Sequence, residues 1–359
     1  MCTSKLSRNT NAPMRIKNNG VMSNFSGTWS PLLTPDGKVT RDPKATAGYI
    51  DAVACWKAFQ AVRPGLPFDY EIVTAIPNDD AGKDLFGHVV SGIRRLGDVQ
   101  VGLFVLGGSP QNPAKSIETA AMYGEAFQLA SKNEILSVSI LPHGWREDME
   151  GPKPQGKALA AIRKQVAETI LEGLHRSGVK TPGFKLHLET LSGRNRRTRK
   201  GGPLELPILN QPNEVVPILE IINDTTQLPI AQTVVDFAHL NYGLVDWNLE
   251  GLKRLDILIF LIQEGYVSRL HLSVSELRCG AEPMGPDTLK RFVSHRLVQI
   301  EEGLRYIEKA GFEVPTTVAE IFLPAALEPL GLILPETGLR LENGPAEFVK
   351  LFRAVDPSN

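Results

Sequence analysis

Cysteine is scarce in this chain. Cys2, Cys55 and Cys279 are its only three in 359 residues, too few and too scattered for a disulfide framework or a sulfur-rich zinc site, and in keeping with a reducing cytoplasm. A surplus of one charge is lacking as well. The 39 Lys and Arg balance 40 Asp and Glu for a formal net charge of −1, so no global field draws the protein to nucleic acid or to an anionic membrane. The longest apolar run, Ile257 to Ile262 in "LDILIFLIQEG", falls far short of the roughly 20 residues that cross a bilayer. The polar stretch "MCTSKLSRNTNAP" has no apolar signal-peptide core, so neither export nor anchoring is expected. Residues 1–19 read as a flexible lead-in to a single domain over residues 20–359.

What the sequence does have is rhythm. Apolar residues make up 42% of the chain and charged ones 22%, enough to bury a large core. Short β-rich runs alternate with longer helical patterns. After a first strand in "GVMSNFSGTW", further strands are predicted in "YEIVTAI", "VQVGLFVLG", "ILSVSILPHG", "FKLHLETL", "IAQTVVDFAHL", "SRLHLSVSE" and "TTVAEIFLP". Helical patterns such as "DLFGHVVSGIRRLG", "GKALAAIRKQVAETILEGLHRSG" and "LEGLKRLDILIFLIQEG" lie between them, several ending in Gly as helix C-termini do. Links from helix to strand are short, whereas those from strand to helix are long and polar. This pattern predicts an α/β fold of the (β/α)8 TIM-barrel type with enlarged βα loops, the side on which such barrels carry their sites. A doubly wound sheet is the alternative, but no Gly-rich phosphate fingerprint follows any strand.

In a barrel, polar residues near the C-terminal ends of strands face a common mouth. The fifth predicted strand ends at Glu189, the sixth at Asp236 with His239 just beyond, the seventh contains His271 and the eighth Glu320. Each alone is more often a loop hydrogen-bonding group than a ligand. Together they matter more, because three carboxylates at one mouth repel unless a cation or protons neutralise them. Carboxylates with an imidazole suit a hard to borderline divalent ion, Mn²⁺ first, then Mg²⁺ or Co²⁺. Residues three apart on a strand face opposite ways, so Asp236 and His239 share a site only if the strand ends between them.

The order of Glu, Asp-x-x-His, His and Glu on strands five to eight resembles the xylose isomerase-like TIM-barrel superfamily, especially its ketose 3-epimerases and inosose dehydratases. The resemblance implies a metal held by Glu189, Asp236, His271 and Glu320. It makes Glu189 and Glu320 the proton-transfer pair, and His239 and Arg278 substrate contacts, Arg278 standing one residue later than in the epimerase pattern. The implied enzyme is a sugar or keto-sugar isomerase or epimerase working through a metal-stabilised enediolate. A lyase of the same fold, cleaving a keto-glycoside or C-glycoside or dehydrating its substrate, is the alternative. A barrel that binds a ligand or partner without catalysis is the reading from another class. The superfamily's abasic-site endonucleases need further His ligands and an Asp-x-His pair that "SVSELRCGAEPMGPDTL" lacks.

Secondary candidates remain. His143 and Trp145 in "LPHGW" are placed either at the pocket, Trp145 stacking on a sugar face, or in loop packing. Lys185 and His187 share the face of Glu189 by period two and are expected in an interior polar network. His88, His175 and His295 fall in helical patterns, as surface or packing residues. The basic run "SGRNRRTRKGG", with Arg194, Arg196, Arg197, Arg199 and Lys200, reads first as a solvated loop. Its sharper readings are capture of an anionic substrate group or a subunit contact in a homo-oligomer.

Overall fold

A computed structural model describes residues 19–24, 56–57, 60–61, 65, 68–74, 76–77, 79–105, 107–142, 145–180, 182–190, 196–197, 204–206, 208–209, 211–237, 240, 247, 249–273, 286–311 and 316–320. The lead-in expected over residues 1–19 lies outside these except for Asn19.

Eight parallel strands close into a barrel. In chain order they are β1 (Asn19–Asn24), β2 (Phe68–Thr74), β3 (Val99–Val105), β4 (Ser137–Ile140), β6 (Lys185–Thr190), β9 (Ala231–Asp236), β10 (Val267–Ser273) and β11 (Thr316–Glu320). The first pairs with the last, Asn19 opposite Thr317. The three remaining strands among the described residues, β5 (Trp145–Arg146), β7 (Arg196–Arg197) and β8 (Leu204–Leu206), form a small separate sheet. All eight segments predicted as strands are barrel strands.

Helices fill the crossovers: α1 (Asp80–Arg94), α2 (Ser116–Lys132), α3 (Glu147–Glu150), α4 (Gly156–Ser177), α5 (Val216–Thr226), α6 (Leu249–Gln263) and α7 (Pro286–Lys309). Their ends follow local chemistry. Asp79 caps α1 by accepting from Gly82 N at 2.7 Å, and α4 stops at Gly178, whose φ of +63° suits a left-handed C-terminal residue. Helices α2 and α4 pack closely at Gly173, where a Cβ would stand 2.8 Å from Tyr123 Cβ. Among the described residues no helix is long and apolar enough to cross a membrane.

The strands are two-faced. Phe68, Tyr70 and Ile72 of β2, Val138 and Ile140 of β4, Leu186 and Leu188 of β6, and Leu270 and Leu272 of β10 join the core beneath the helices. Period two therefore turns Asp69, Glu71, Ser137, Ser139, His187, Glu189, Arg269 and His271 toward the barrel axis. Apolar filling from Phe104 and Val318, with Leu141 against them, forms a small separate cluster. The βα side is reinforced by the side sheet. Trp145 pairs with Leu206 and Arg196 with Glu205, so two of the five basic residues in the predicted loop are in a strand. Arg163 of α4 braces the segment leading on to α5, donating to Ile208 O at 3.1 and 3.0 Å and pairing with Glu214 at 3.0 Å.

Candidate active site

Glu189 is the penultimate residue of β6, Asp236 the last of β9, Glu320 the last of β11, and His271 stands two residues before the end of β10. These strands are consecutive around the barrel. Register sets Asp236 opposite His271 and Glu320 opposite Ser273. Glu189, Asp236 and His271 are 5%, 1% and 0% exposed, so two carboxyl groups are sunk where ionisation demands a positive partner. Among the described residues no group of three or more His, Cys, Asp and Glu is placed to hold a metal ion, and Glu320 is described by its backbone only. By donor type and strand position the set fits a divalent cation; its described members do not close on one point by themselves.

Beneath this rim lies a buried polar floor. Glu71 of β2 sits at its centre, 1% exposed. Its Oε1 accepts from Ser139 Oγ of β4 and from Arg269 Nη1 of β10 at 3.2 Å, and its Oε2 faces His271 Nε2 at 3.0 Å. Arg269 Nη2 donates to Ser137 Oγ at 3.0 Å, and that hydroxyl stands 3.2 Å from His187 Nδ1. Three strands are thus tied across the axis by one guanidinium and one carboxylate, and the Ser137 hydroxyl adds β6 through His187. Sequence reasoning did not find Glu71 or Arg269. The signal was available: "FDYEIV" alternates acids with apolar residues, and Arg269 shares the face of His271.

The floor sets its own charges. Burial alone would raise the Glu71 carboxyl, yet the Arg269 guanidinium, the hydrogen bond with His271 and the Ser139 hydroxyl bring it well below the usual carboxylate range. Burial, reinforced by Arg269, holds the His187 imidazole well below its ordinary value and so keeps it neutral. Asp69 behaves oppositely. Burial pushes it up from 3.8 to about 6, with Arg269 opposing and Glu71 and Asp98 adding to the rise. An acid whose folded value is raised holds its proton better when folded, so its favourable contribution is full below pH 3.8 and is lost as pH climbs through about 6. Asp69→Asn removes that loss. At roughly 1.4 kcal/mol for each pH unit separating the folded and unfolded values, the variant is expected to gain up to about 3 kcal/mol on wild type between about pH 3.5 and 7. Urea unfolding across that range measures the gain.

The other sequence candidates are dispersed. His143, His239 and Arg278 lie outside the described residues. Trp145 is 7% exposed, packs in the core and donates its indole N–H to Gly151 O at 2.8 Å, a loop-packing placement. His187 joins the floor as expected, whereas Lys185 reaches the opposite rim and donates to Pro229 O at 2.9 Å. His88 and His175 are exposed on α1 and α4. The chain leaving Asp236 is fixed by Phe237, which meets Trp247 edge-on with ring centroids 6.2 Å apart. Both rings press on Gly303 of α7, where a Cβ would come within 2.6 Å of each.

No protein-family model and no curated protein sequence matches the chain. Solved structures do. A D-psicose 3-epimerase from Clostridium cellulolyticum H10 superposes with a TM-score of 0.52 at 15% identity, covering 94% of this chain and 97% of that one. A putative sugar phosphate isomerase/epimerase from Anabaena variabilis gives 0.51 at 14%, covering 93% and 98%. The chain shares their fold. An endoglucanase from Clostridium cellulovorans also matches, with a TM-score of 0.50 at 12% identity over 97% and 99% of the two chains. The likeness therefore establishes the (β/α)8 barrel fold alone, and the reaction has to be argued from the residues.

Proposed function

We propose that the protein is a divalent-metal-dependent enzyme that isomerises or epimerises a sugar or keto-sugar by proton transfer through an enediolate. The observation that carries this reading is the buried pair Asp236 and His271, in register on adjacent strands at the barrel mouth, with Glu189 and Glu320 on the strands to either side. The shared fold with sugar epimerases supports it. Glu189, Asp236, His271 and Glu320 would hold the ion, Mn²⁺ by preference and Mg²⁺ or Co²⁺ otherwise. When bound, it supplies Lewis-acid polarisation of a sugar carbonyl and the neighbouring hydroxyl.

The chain's residues do the rest. One of Glu189 and Glu320 takes the proton from the carbon that bears that hydroxyl, and the other returns one from across the sugar. His239 and Arg278 bind and orient the substrate. Return to the opposite face epimerises, and return to the adjacent carbon isomerises. Loss of a β-substituent from the same enediolate is the lyase outcome, which the long segment over residues 30–48 and the basic run over 194–200 favour if the substrate is a bulky glycoside. The scarcity of cysteine supports a cytoplasmic setting.

The test is metal analysis of the purified protein, followed by incubation with ketoses and keto-glycosides in D₂O. Stoichiometric Mn²⁺ and chelator-sensitive deuterium uptake at a sugar carbon are expected. A protein that binds these sugars while metal-free, with no exchange, is a non-catalytic barrel and sinks the proposal.

A further inference from the structure

Glu71 has no place among the donors assigned above, yet three side chains from two other strands engage its carboxylate. One of its oxygens is held by Ser139 and Arg269, and the other faces His271 Nε2 at 3.0 Å. Arg269 and His271 are two residues apart on β10 and grip the same carboxylate from β2, nearly 200 positions away in sequence. This places Glu71 against the imidazole on the floor side. A carboxylate paired with a guanidinium and a hydroxyl donor only accepts, so the ring nitrogen facing it must carry a proton. In the neutral ring that leaves the lone pair on Nδ1.

We infer that Glu71 is a positioning residue: by accepting the Nε2 proton of His271 it fixes the ring's tautomer and rotation, so that Nδ1 is the nitrogen offered to a divalent cation. The inference rests on the metal reading proposed above. It goes beyond that reading by assigning a function to a residue that is neither ligand nor proton-transfer group. A carboxylate behind a ligating imidazole also makes the ligand nitrogen more basic, and removing such a partner typically weakens metal binding by about 10- to 100-fold. Arg269 and Ser139 serve the same end at one remove, since they hold the carboxylate where His271 needs it.

Two readouts test this on the full-length protein. The first is the tautomer of His271 in the metal-free state, read from long-range ¹H–¹⁵N imidazole correlations and assigned by their loss in His271→Gln. Wild type is expected to show protonated Nε2 and bare Nδ1. The second is Mn²⁺ affinity, from titration followed by the EPR signal of the free ion. Glu71→Gln is expected to bind Mn²⁺ about 10- to 100-fold more weakly. Ser139→Ala, which removes one of the bonds that hold the carboxylate, is expected to keep the tautomer and to weaken Mn²⁺ binding less than Glu71→Gln does. A wild-type ring protonated on Nδ1 overturns the inference, as does Glu71→Gln binding Mn²⁺ as tightly as wild type. A wild-type protein with the expected tautomer that binds no Mn²⁺ overturns the metal reading, and with it the purpose assigned to Glu71. If Glu71→Gln does not fold, the metal-free wild-type tautomer decides the inference by itself.

Discussion

Glu189→Gln and Glu320→Gln are each expected to lower turnover by about 10³-fold, within the range that a positioned acid or base contributes. Folding is expected to be intact. Glutamine keeps the shape and one acceptor oxygen of glutamate but cannot take a proton from carbon or give one back. Glu189 is 5% exposed at the end of β6, so water is a poor substitute for it at that depth. The sensitive measurement is deuterium exchange at the substrate carbon, because it reports proton abstraction even when no net product accumulates. Circular dichroism of both variants should match wild type. Full exchange in both would remove the two glutamates from the chemistry and leave the enediolate reading without its base and acid.

Arg269→Met is expected to destabilise the protein by about 3 to 5 kcal/mol, the range for breaking a buried ion pair from one side. Exposure decides that this range applies: the Arg269 side chain is 12% exposed and Glu71 only 1%. Once the guanidinium is gone, burial dominates the Glu71 carboxyl and the group takes up a proton more readily. In wild type its depressed value contributes stability that is full above pH 4.5 and is lost as pH falls through the folded value. The loss in Arg269→Met should therefore be largest near neutral pH and shrink in acid. The double variant Glu71→Leu with Arg269→Met should regain most of the stability, since an apolar pair leaves no charge stranded. Denaturant unfolding of the two variants beside wild type checks both statements, and equal stability of Arg269→Met and wild type at neutral pH would refute the first.

The barrel was legible because its signal is local. Each strand is a short apolar run bounded by turn residues, and each crossover carries its own helical period. The strand positions of Glu189, Asp236, His271 and Glu320 were legible too, since all four sit at or near strand ends, where barrel geometry turns residues toward the mouth. The floor was harder to read. Glu71 meets Arg269 and His271 across the axis at sequence separations of 198 and 200, and period two says only which face a residue is on, not which residue it meets there. The side sheet escaped for a different reason. Two-residue strands such as Arg196–Arg197 are too short to carry a periodicity, and a run of arginines reads as solvated whether or not its backbone is paired.

That side sheet bears on how the mouth can be remodelled. In barrels of this kind each βα loop is usually a replaceable part, free to lengthen or change while the strands below it stay as they are. Here β5 belongs to the connection after β4, and β7 and β8 to the one after β6, yet backbone hydrogen bonds join them into one sheet. Neither connection can be grafted, shortened or diversified alone without breaking the other's pairing. In directed evolution of this scaffold the two behave as a single cassette, and libraries that vary them together would preserve the wall over β6 that separate libraries would dismantle.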